Sequence, residues 1–412
     1  MRGISSITIE RYRSFVRPTT IELRPLTLFF GRNSAGKSAL LRLFPLLAAS
    51  FGRGVSTPLN TDALAEPFAF GDLFWRGDRR RRVRVKLTGS GWSYDVDLSY
   101  DGDPPIGFIR EWRAAFGGRS VSAEVVPEGP YDQWRLGGEG EPRQLTFDGL
   151  LPVPRATGPG MPPNSDPSGD LGPLWDVREQ LAPLHGQVQW LRSTRARIRG
   201  PHTARGNRPS IVGSDGSGVM DVLLAHDDVM ESVAAWYRRP EISRRLKLVP
   251  GPGDTWRLQL DPARGTVAGV GIEEVGEGMQ QVLPVLTSIE LARRVGRHMV
   301  AIEDPEALLH GDAQQALASH LCQVAGVDGA PTLVVETHSR VLLLGIQLAV
   351  ANKEISSDKV AIYWVDQNDG SSMVYPVQVR GDGSLEGWPP GPFGEDLALA
   401  QQLARLRLRT AG

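Results

Sequence analysis

The residues richest in chemistry are Gly31, Arg32, Asn33, Ser34, Ala35, Gly36, Lys37 and Ser38. They fit the phosphate-loop spacing G-x-x-x-x-G-K-[ST] at every fixed position. Glycines let the backbone curl until several N–H groups face one anion, and the following helix start adds positive potential. The Lys37 ammonium then neutralises β- and γ-phosphates, and the Ser38 hydroxyl reaches Mg2+. Two acidic or polar clusters close later apolar runs. Residues 299–302 lead into Glu303, Asp304, Pro305 and Glu306, and residues 332–335 lead into Glu336, Thr337, His338 and Ser339. At 303–306, carboxylates at a strand end beside a phosphate loop can hold Mg2+ and activate water; at the later strand end His338 can contact a γ-phosphate or the attacking water. A glycine turn, Gly276-Glu277-Gly278-Met279-Gln280-Gln281, opens a helix and offers one more anion site.

Such residues act together only if the fold converges them. Residues 26–30 read as a strand before the loop and 39–44 as a helix after it, which Pro45 should kink or end. Strands are expected at 4–10 and 20–30, and β structure from Phe68 to Tyr100, with Val83, Val85 and Leu87 on one face and Arg82, Arg84 and Lys86 on the other. Further strands are expected at 186–191, 255–260 and 266–272, and helices at 280–295 and 312–325. A helical arm over 219–249 is expected, interrupted at Pro240. Residues 101–174 hold many Gly and Pro and read as a long loop or partly disordered insert. Three parts follow: an N-terminal lobe (1–100), an insert (101–185) and a C-terminal lobe (186–412). The fold expected is α/β, a mainly parallel sheet with an antiparallel β layer near the N-terminus.

Composition narrows the function. The chain has 412 residues, 41% hydrophobic and 23% charged, with a formal net charge of −1. That excludes a globally basic nucleic-acid binder, so contact with DNA must rest on local patches. Cys322 is the only cysteine, so neither an internal disulfide nor a cysteine-based metal site exists. The first residues lack a signal-peptide core and no run of eighteen apolar residues occurs, giving the expectation of a soluble cytoplasmic protein away from membranes. Local basic patches do exist. Arg79 to Arg82 are consecutive, and Arg192, Arg195, Arg197, Arg199, Arg205 and Arg208 precede the next acidic residue, Asp215. The second group is either an exposed loop or a contact to nucleotide or DNA phosphates. Residues 398–409 read as a helix carrying Arg405, Arg407 and Arg409.

In this order the motifs resemble the ABC-type ATPases of the SMC, RecF and OLD group. The resemblance rests on Ile9-Glu10-Arg11-Tyr12-Arg13-Ser14-Phe15, the loop with Asn33, Gly276 to Pro284, Ile302 to Glu306 through Leu309-His310, and Glu336 to Ser339. The ending Gly387-Trp388-Pro389-Pro390-Gly391-Pro392-Phe393 also looks like that of bacterial members. The resemblance implies ATP sandwiched between two subunits, with Lys37 and Ser38 on phosphate and Mg2+, Glu303 on the metal, Asp304 as general base and His338 as switch. Gly276, Gly278 and Gln280 would reach the γ-phosphate held by the partner subunit. Asp304 stands where the family usually has Glu, which implies slow hydrolysis, and Gln280 replaces the signature serine. A separate effector protein is a further expected partner. Three other classes are a nucleotide switch with little turnover, an OLD-type nuclease and a transporter ATPase subunit. No Glu followed by an Asp-x-Asp pair closes a strand, and Asp366 to Gly370 reads more simply as a hairpin tip.

Overall fold

The computed structural model describes residues 3–52, 57–64, 70–75, 82–101, 106–127, 130–138, 140–153, 169–204, 206, 208–264 and 269–389. Its organising element is the strand Leu26–Gly31, buried along its whole length as a strand covered on both faces must be. It lies in a seven-stranded sheet of spatial order Val188–Leu191, Met299–Glu303, Thr332–Glu336, Leu26–Gly31, Val360–Asn368, Ser371–Val379 and Leu385–Glu386. The first five strands are parallel and the last two antiparallel. Parallel pairing sends the chemistry to one edge: Glu303 stands opposite Glu336, and Glu336 opposite Phe29, two residues before the loop.

Alternation along these strands divides the core. Phe29, Met299, Ala301 and Val334 face the loop helix, Lys37–Ala49, and a second, antiparallel sheet. Leu28, Val300, Ile302 and Val335 face the helices Glu277–Val295, Gly311–Gly326 and Arg340–Ala351. The antiparallel sheet has eight strands, in the order Thr19–Glu22, Ser6–Glu10, Arg82–Gly89, Trp92–Asp101, Ile106–Phe116, Arg119–Val125, Gln133–Leu136 and Arg143–Gln144. In it Val83, Val85 and Leu87 are buried as the alternation requires. Arg84 is bonded to Asp95 on the next strand (2.8 Å) and Arg82 lies 3.8 Å from Asp97, so both arginines of this face are paired within the sheet.

Several expectations are corrected. Residues 20–30 form two strands in different sheets, Thr19–Glu22 and Leu26–Gly31, parted by Arg24 and by Pro25, which cannot donate to a ladder. The loop helix runs past Pro45 to Ala49, because Leu46 and Leu47 just beyond the proline are fully buried and their packing outweighs one lost hydrogen bond. The described part of 101–174 is largely β. Its Gly117-Gly118 and Gly137-Gly138 pairs all have positive φ, so they turn hairpins where composition alone suggested a loop. The segment 219–249 is no arm: helices Val219–Ala225 and Asp227–Tyr237 bury Val222, Val229, Val233, Trp236 and Tyr237 in the core, and Arg244–Pro250 is a strand paired with Thr255–Pro262. After Pro240 the period falls to two, with Leu246 and Leu248 alternating against Lys247. Phe70–Leu73 is one 3-10 turn, and the next strand among the described residues is Arg82–Gly89. The helix expected from Gln280 starts at Glu277. Arg79 to Arg81, Arg205, most of the Pro-rich run after 153 and the expected helix at 398–409 lie outside the described residues.

Candidate functional site

The loop is shaped by close approach. At Gly31 (φ 151°) a Cβ would collide with the Val365 carbonyl of the neighbouring strand; at Gly36 (φ 107°) it would meet the Phe15 ring at 3.0 Å. Ser34 between them also has positive φ, 63°. The Ser372 hydroxyl, just past the Asp369-Gly370 turn, braces the loop from outside by donating to the Ala35 carbonyl at 2.7 Å. Lys37 is 3% exposed and its ammonium donates to the carbonyls of Arg32 (2.8 Å) and Gly31 (3.2 Å). Desolvation holds that ammonium below its ordinary pKa, with Glu336 and Asp304 opposing the shift.

The carboxylate beside Ser38 is Glu336. Ser38 Oγ donates to Glu336 Oε1 at 2.8 Å, and Lys37 Nζ stands 3.9 Å from the same oxygen. Glu336 is 4% exposed, and its Oε2 has no hydrogen-bond partner among the described residues. Burial pushes this carboxyl up to about 7; the Ser38 hydrogen bond opposes that, and the Glu303 charge adds to it. Glu303 points elsewhere. Its carboxylate receives Arg42 Nε at 2.8 Å and Arg42 Nη2 at 3.0 Å, with Trp190 Nε1 at 3.2 Å.

Asp304 has φ 42°, a conformation that a non-glycine residue holds only when its surroundings impose it. Its N–H donates to the Glu336 carbonyl at 2.9 Å, and its own carbonyl accepts from Arg195 Nη2 at 3.1 Å; Arg195 donates to the Glu303 carbonyl as well. Burial raises the Asp304 carboxyl, and the His338 and Lys37 charges oppose it. The His338 backbone N–H donates to Glu306 Oε1 at 3.1 Å, and the Thr337 hydroxyl donates to the same oxygen at 2.5 Å. Partial desolvation, then the Lys37 charge, lowers the His338 imidazole, favouring its neutral form.

Asn33, Ser34, Gly36, Lys37, Ser38, Glu336 and His338 line a cavity of about 800 Å³ together with Arg13, Asp72, Phe74 and Trp75. This volume is within the range of nucleotide-sized ligand sites. Its donors suit Mg2+, a hard cation that takes one or two carboxylates and completes its shell with water and substrate phosphates. Ser38 and the unpartnered Glu336 oxygen supply that small set, and among the described residues no group of three or more His, Cys, Asp or Glu forms a metal cluster of its own.

The remaining expected residues lie apart. Gly276 is exposed; Gly278 packs where a Cβ would strike the Leu308 carbonyl. Gln280 is buried, its amide turned back on the carbonyls of Val275 (3.1 Å) and Glu273 (3.4 Å), so it shapes the turn instead of reaching outward. None of the three lines the cavity. Arg195 is 5% exposed behind the acidic strand end and cannot meet a DNA backbone, which corrects its place in the basic patch. Arg197 pairs with Glu277, and Arg199 and Arg208 are exposed. Asp366 and Asp369 belong to a two-stranded hairpin, Val360–Asn368 with Ser371–Val379. Trp388 packs edge-on against Phe30 (5.7 Å between ring centroids) and Trp364 (5.3 Å), so the described part of the Trp-Pro motif plugs the sheet. Sequence reasoning missed Glu336 and Arg42 as site-forming residues. The signal for Glu336 was its seat beside His338; what hid it was the strand order, which puts its strand directly against the loop strand.

Residues 6–102 match the family model described as an AAA domain. The match includes the whole phosphate loop with Lys37 and Ser38, while Asp304, Glu336 and His338 lie beyond the matched residues. No curated protein matches the sequence. Among solved structures, the chain is similar to an SMC head bound to the C-winged helix domain of ScpA, at 11% identity and TM-score 0.47, over 92% of this chain and 98% of that one. It is also similar to the SMC head domain from Thermotoga maritima, at 13% identity and TM-score 0.45, over 92% and 100%. A third is the Smc head with an extended coiled coil bound to the C-terminal domain of ScpA, derived from Pyrococcus furiosus, at 11% identity and TM-score 0.44, over 98% and 100%. No helix of the described residues is long and apolar enough to cross a membrane.

Proposed function

We propose that the protein is a slow, Mg2+-dependent ATPase of the ABC/SMC-like kind. The observation that carries this reading is the convergence of Lys37, Ser38, Glu336 and His338 on one nucleotide-sized cavity, with Asp304 held against it through the Glu336 carbonyl. In this reading the loop N–H groups and Lys37 bind the β- and γ-phosphates, and the Ser38 hydroxyl contributes to the metal. Mg2+ held by Ser38 and Glu336 would supply neutralisation of the phosphate charge. Asp304 accepts a proton from the attacking water; its short side chain reaches less far than Glu, which supports slow turnover. Neutral His338 donates a hydrogen bond at the γ-phosphate edge. Glu303 serves as the anchor for Arg42.

Two copies closing on ATP is part of the same proposal. Gly276 and Glu277 are exposed at the start of a nineteen-residue helix and lie off the cavity of their own chain, which suits a contact to nucleotide held by a second copy. With Gln280 turned inward, backbone N–H groups would make that contact. Coupling to duplex DNA through Arg199 and Arg208, or to an effector protein, in phage defence or DNA repair, is the working assignment of role. The test is steady-state ATP hydrolysis, with and without linear duplex DNA at two salt concentrations, beside Lys37→Ala and Asp304→Asn. Turnover lost in both variants supports the reading, and DNA stimulation that fades with salt supports phosphate contacts. Turnover unchanged in Lys37→Ala would refute the site.

A further inference from the structure

We propose that Glu336 is the carboxylate through which Mg2+ strengthens nucleotide binding, in place of Glu303. The inference rests on the reading of the cavity as an MgATP site. Three observations carry it. First, the only carboxylate bonded to the Ser38 hydroxyl among the described residues is Glu336, at 2.8 Å. Second, Glu336 is 4% exposed and lines the cavity, yet its Oε2 finds no donor among the described residues. A buried carboxylate oxygen without a partner costs free energy unless a cation or donor arrives, so the site is built for an occupant. Third, the carboxylate at the end of the next strand is already committed. Arg42 holds both oxygens of Glu303, and Trp190 bonds one of them. Recruiting Glu303 to a metal would break a buried bidentate pair; recruiting Glu336 disturbs one hydroxyl bond and the looser 3.9 Å approach of Lys37.

The same residue reaches the proton acceptor through its backbone. The Glu336 carbonyl accepts the Asp304 N–H at 2.9 Å, where Asp304 is held at positive φ. Glu336 therefore joins the Ser38 side of the site, through its side chain, to the Asp304 side, through its main chain. A metal seated on Glu336 thereby fixes the strand end that positions Asp304.

The experiment measures the affinity of the full chain for a fluorescent ATP analogue with EDTA and with Mg2+, and Mn2+ occupancy in the ATP complex by electron paramagnetic resonance. Glu336→Gln is expected to bind metal-free nucleotide as well as the native protein or better, since a negative charge near the phosphates is gone. It should lose most of the Mg2+-dependent gain, on the order of 10–100-fold, and weaken Mn2+ binding alike. Glu303→Gln should keep the gain. Glu336→Asp, retaining the charge, should recover part of it, and an Asp variant that binds no metal-free nucleotide would mark Glu336 as structural and overturn the proposal. Glu336→Gln keeping the full gain, or Glu303→Gln losing it, would also overturn it. Failure of the native protein to bind the nucleotide would sink the ATPase reading itself, a distinct result.

Discussion

Replacing Arg42 by Met should destabilise the protein by about 3 kcal/mol, through a carboxylate that the substitution never touches. Glu303 is 2% exposed and Arg42 supplies two of its hydrogen bonds, so the variant leaves a buried charge short of its counter-ion. Breaking such a pair from one side costs about 3–5 kcal/mol. The lower end applies here, because Trp190 Nε1 still donates to Glu303 and the Arg42 side chain, 19% exposed, leaves a path for water. The loss is a large share of a total stability of about 5–15 kcal/mol. Chemical denaturation of the nucleotide-free protein reads it as a lower urea midpoint at unchanged slope. The double variant Arg42→Met with Glu303→Met is the decisive control: two apolar side chains of similar volume should recover most of the loss, since a buried ion pair replaced whole is often neutral or better. A loss under about 1 kcal/mol for Arg42→Met, or strict additivity in the cycle, would refute the picture of a desolvated pair. It would also free Glu303 for the metal.

Two further outcomes follow from burial and backbone geometry. The Glu336 carboxyl titrates near 7 in the folded chain, against 4.5 for a free glutamate, so the native state holds this proton more tightly than the unfolded one. The associated stability is complete below pH 4.5 and is lost as pH rises through 7, reaching about 3 kcal/mol. Thermal melts of nucleotide-free Glu336→Gln should therefore exceed the native protein at pH 8 and converge with it near pH 5; a pH-independent difference would contradict the assignment. Gly31→Ala forces a Cβ into the Val365 carbonyl and should cost about 3 kcal/mol or more, whereas Gly276→Ala meets open space and should stay within about 0.5 kcal/mol by the same denaturation assay.

The elements that carry chemistry were legible because they repeat a simple local grammar. An apolar run of five or six residues ending in Gly31, Glu303 or Glu336 is a buried parallel strand whatever surrounds it, and the glycine spacing of the loop admits few other conformations. The errors at 101–174 and 244–249 share a cause: composition suggests loop or helix where strand pairing decides. Gly117-Gly118 and Gly137-Gly138 looked like punctuation in a loop, yet hairpin turns need positive φ at two successive residues and glycine adopts it at little cost. Residues 244–249 looked like a continued helix because the register of Leu246 and Leu248 matters only once Leu258 and Leu260 stand opposite them.

The pairing of carboxylate with loop hydroxyl was hidden for a different reason. Sequence shows which carboxylates end strands, but which of them meets Ser38 depends on strand order, and order is a property of the whole sheet. Thr332–Glu336 lies between the loop strand and Met299–Glu303, so Glu336 is next to the loop and Glu303 one strand further out. Arg42, one helical turn past Ser38, then reaches across to the outer carboxylate and leaves the inner one to the hydroxyl. The two acidic strand ends thus divide the work. One ties the loop helix to the sheet with a closed ion pair, and the other keeps an open oxygen in the crevice. In the proposed nucleotide site the two are complementary, since the open carboxylate is costly to hold and the closed pair keeps the loop in place while it stays open.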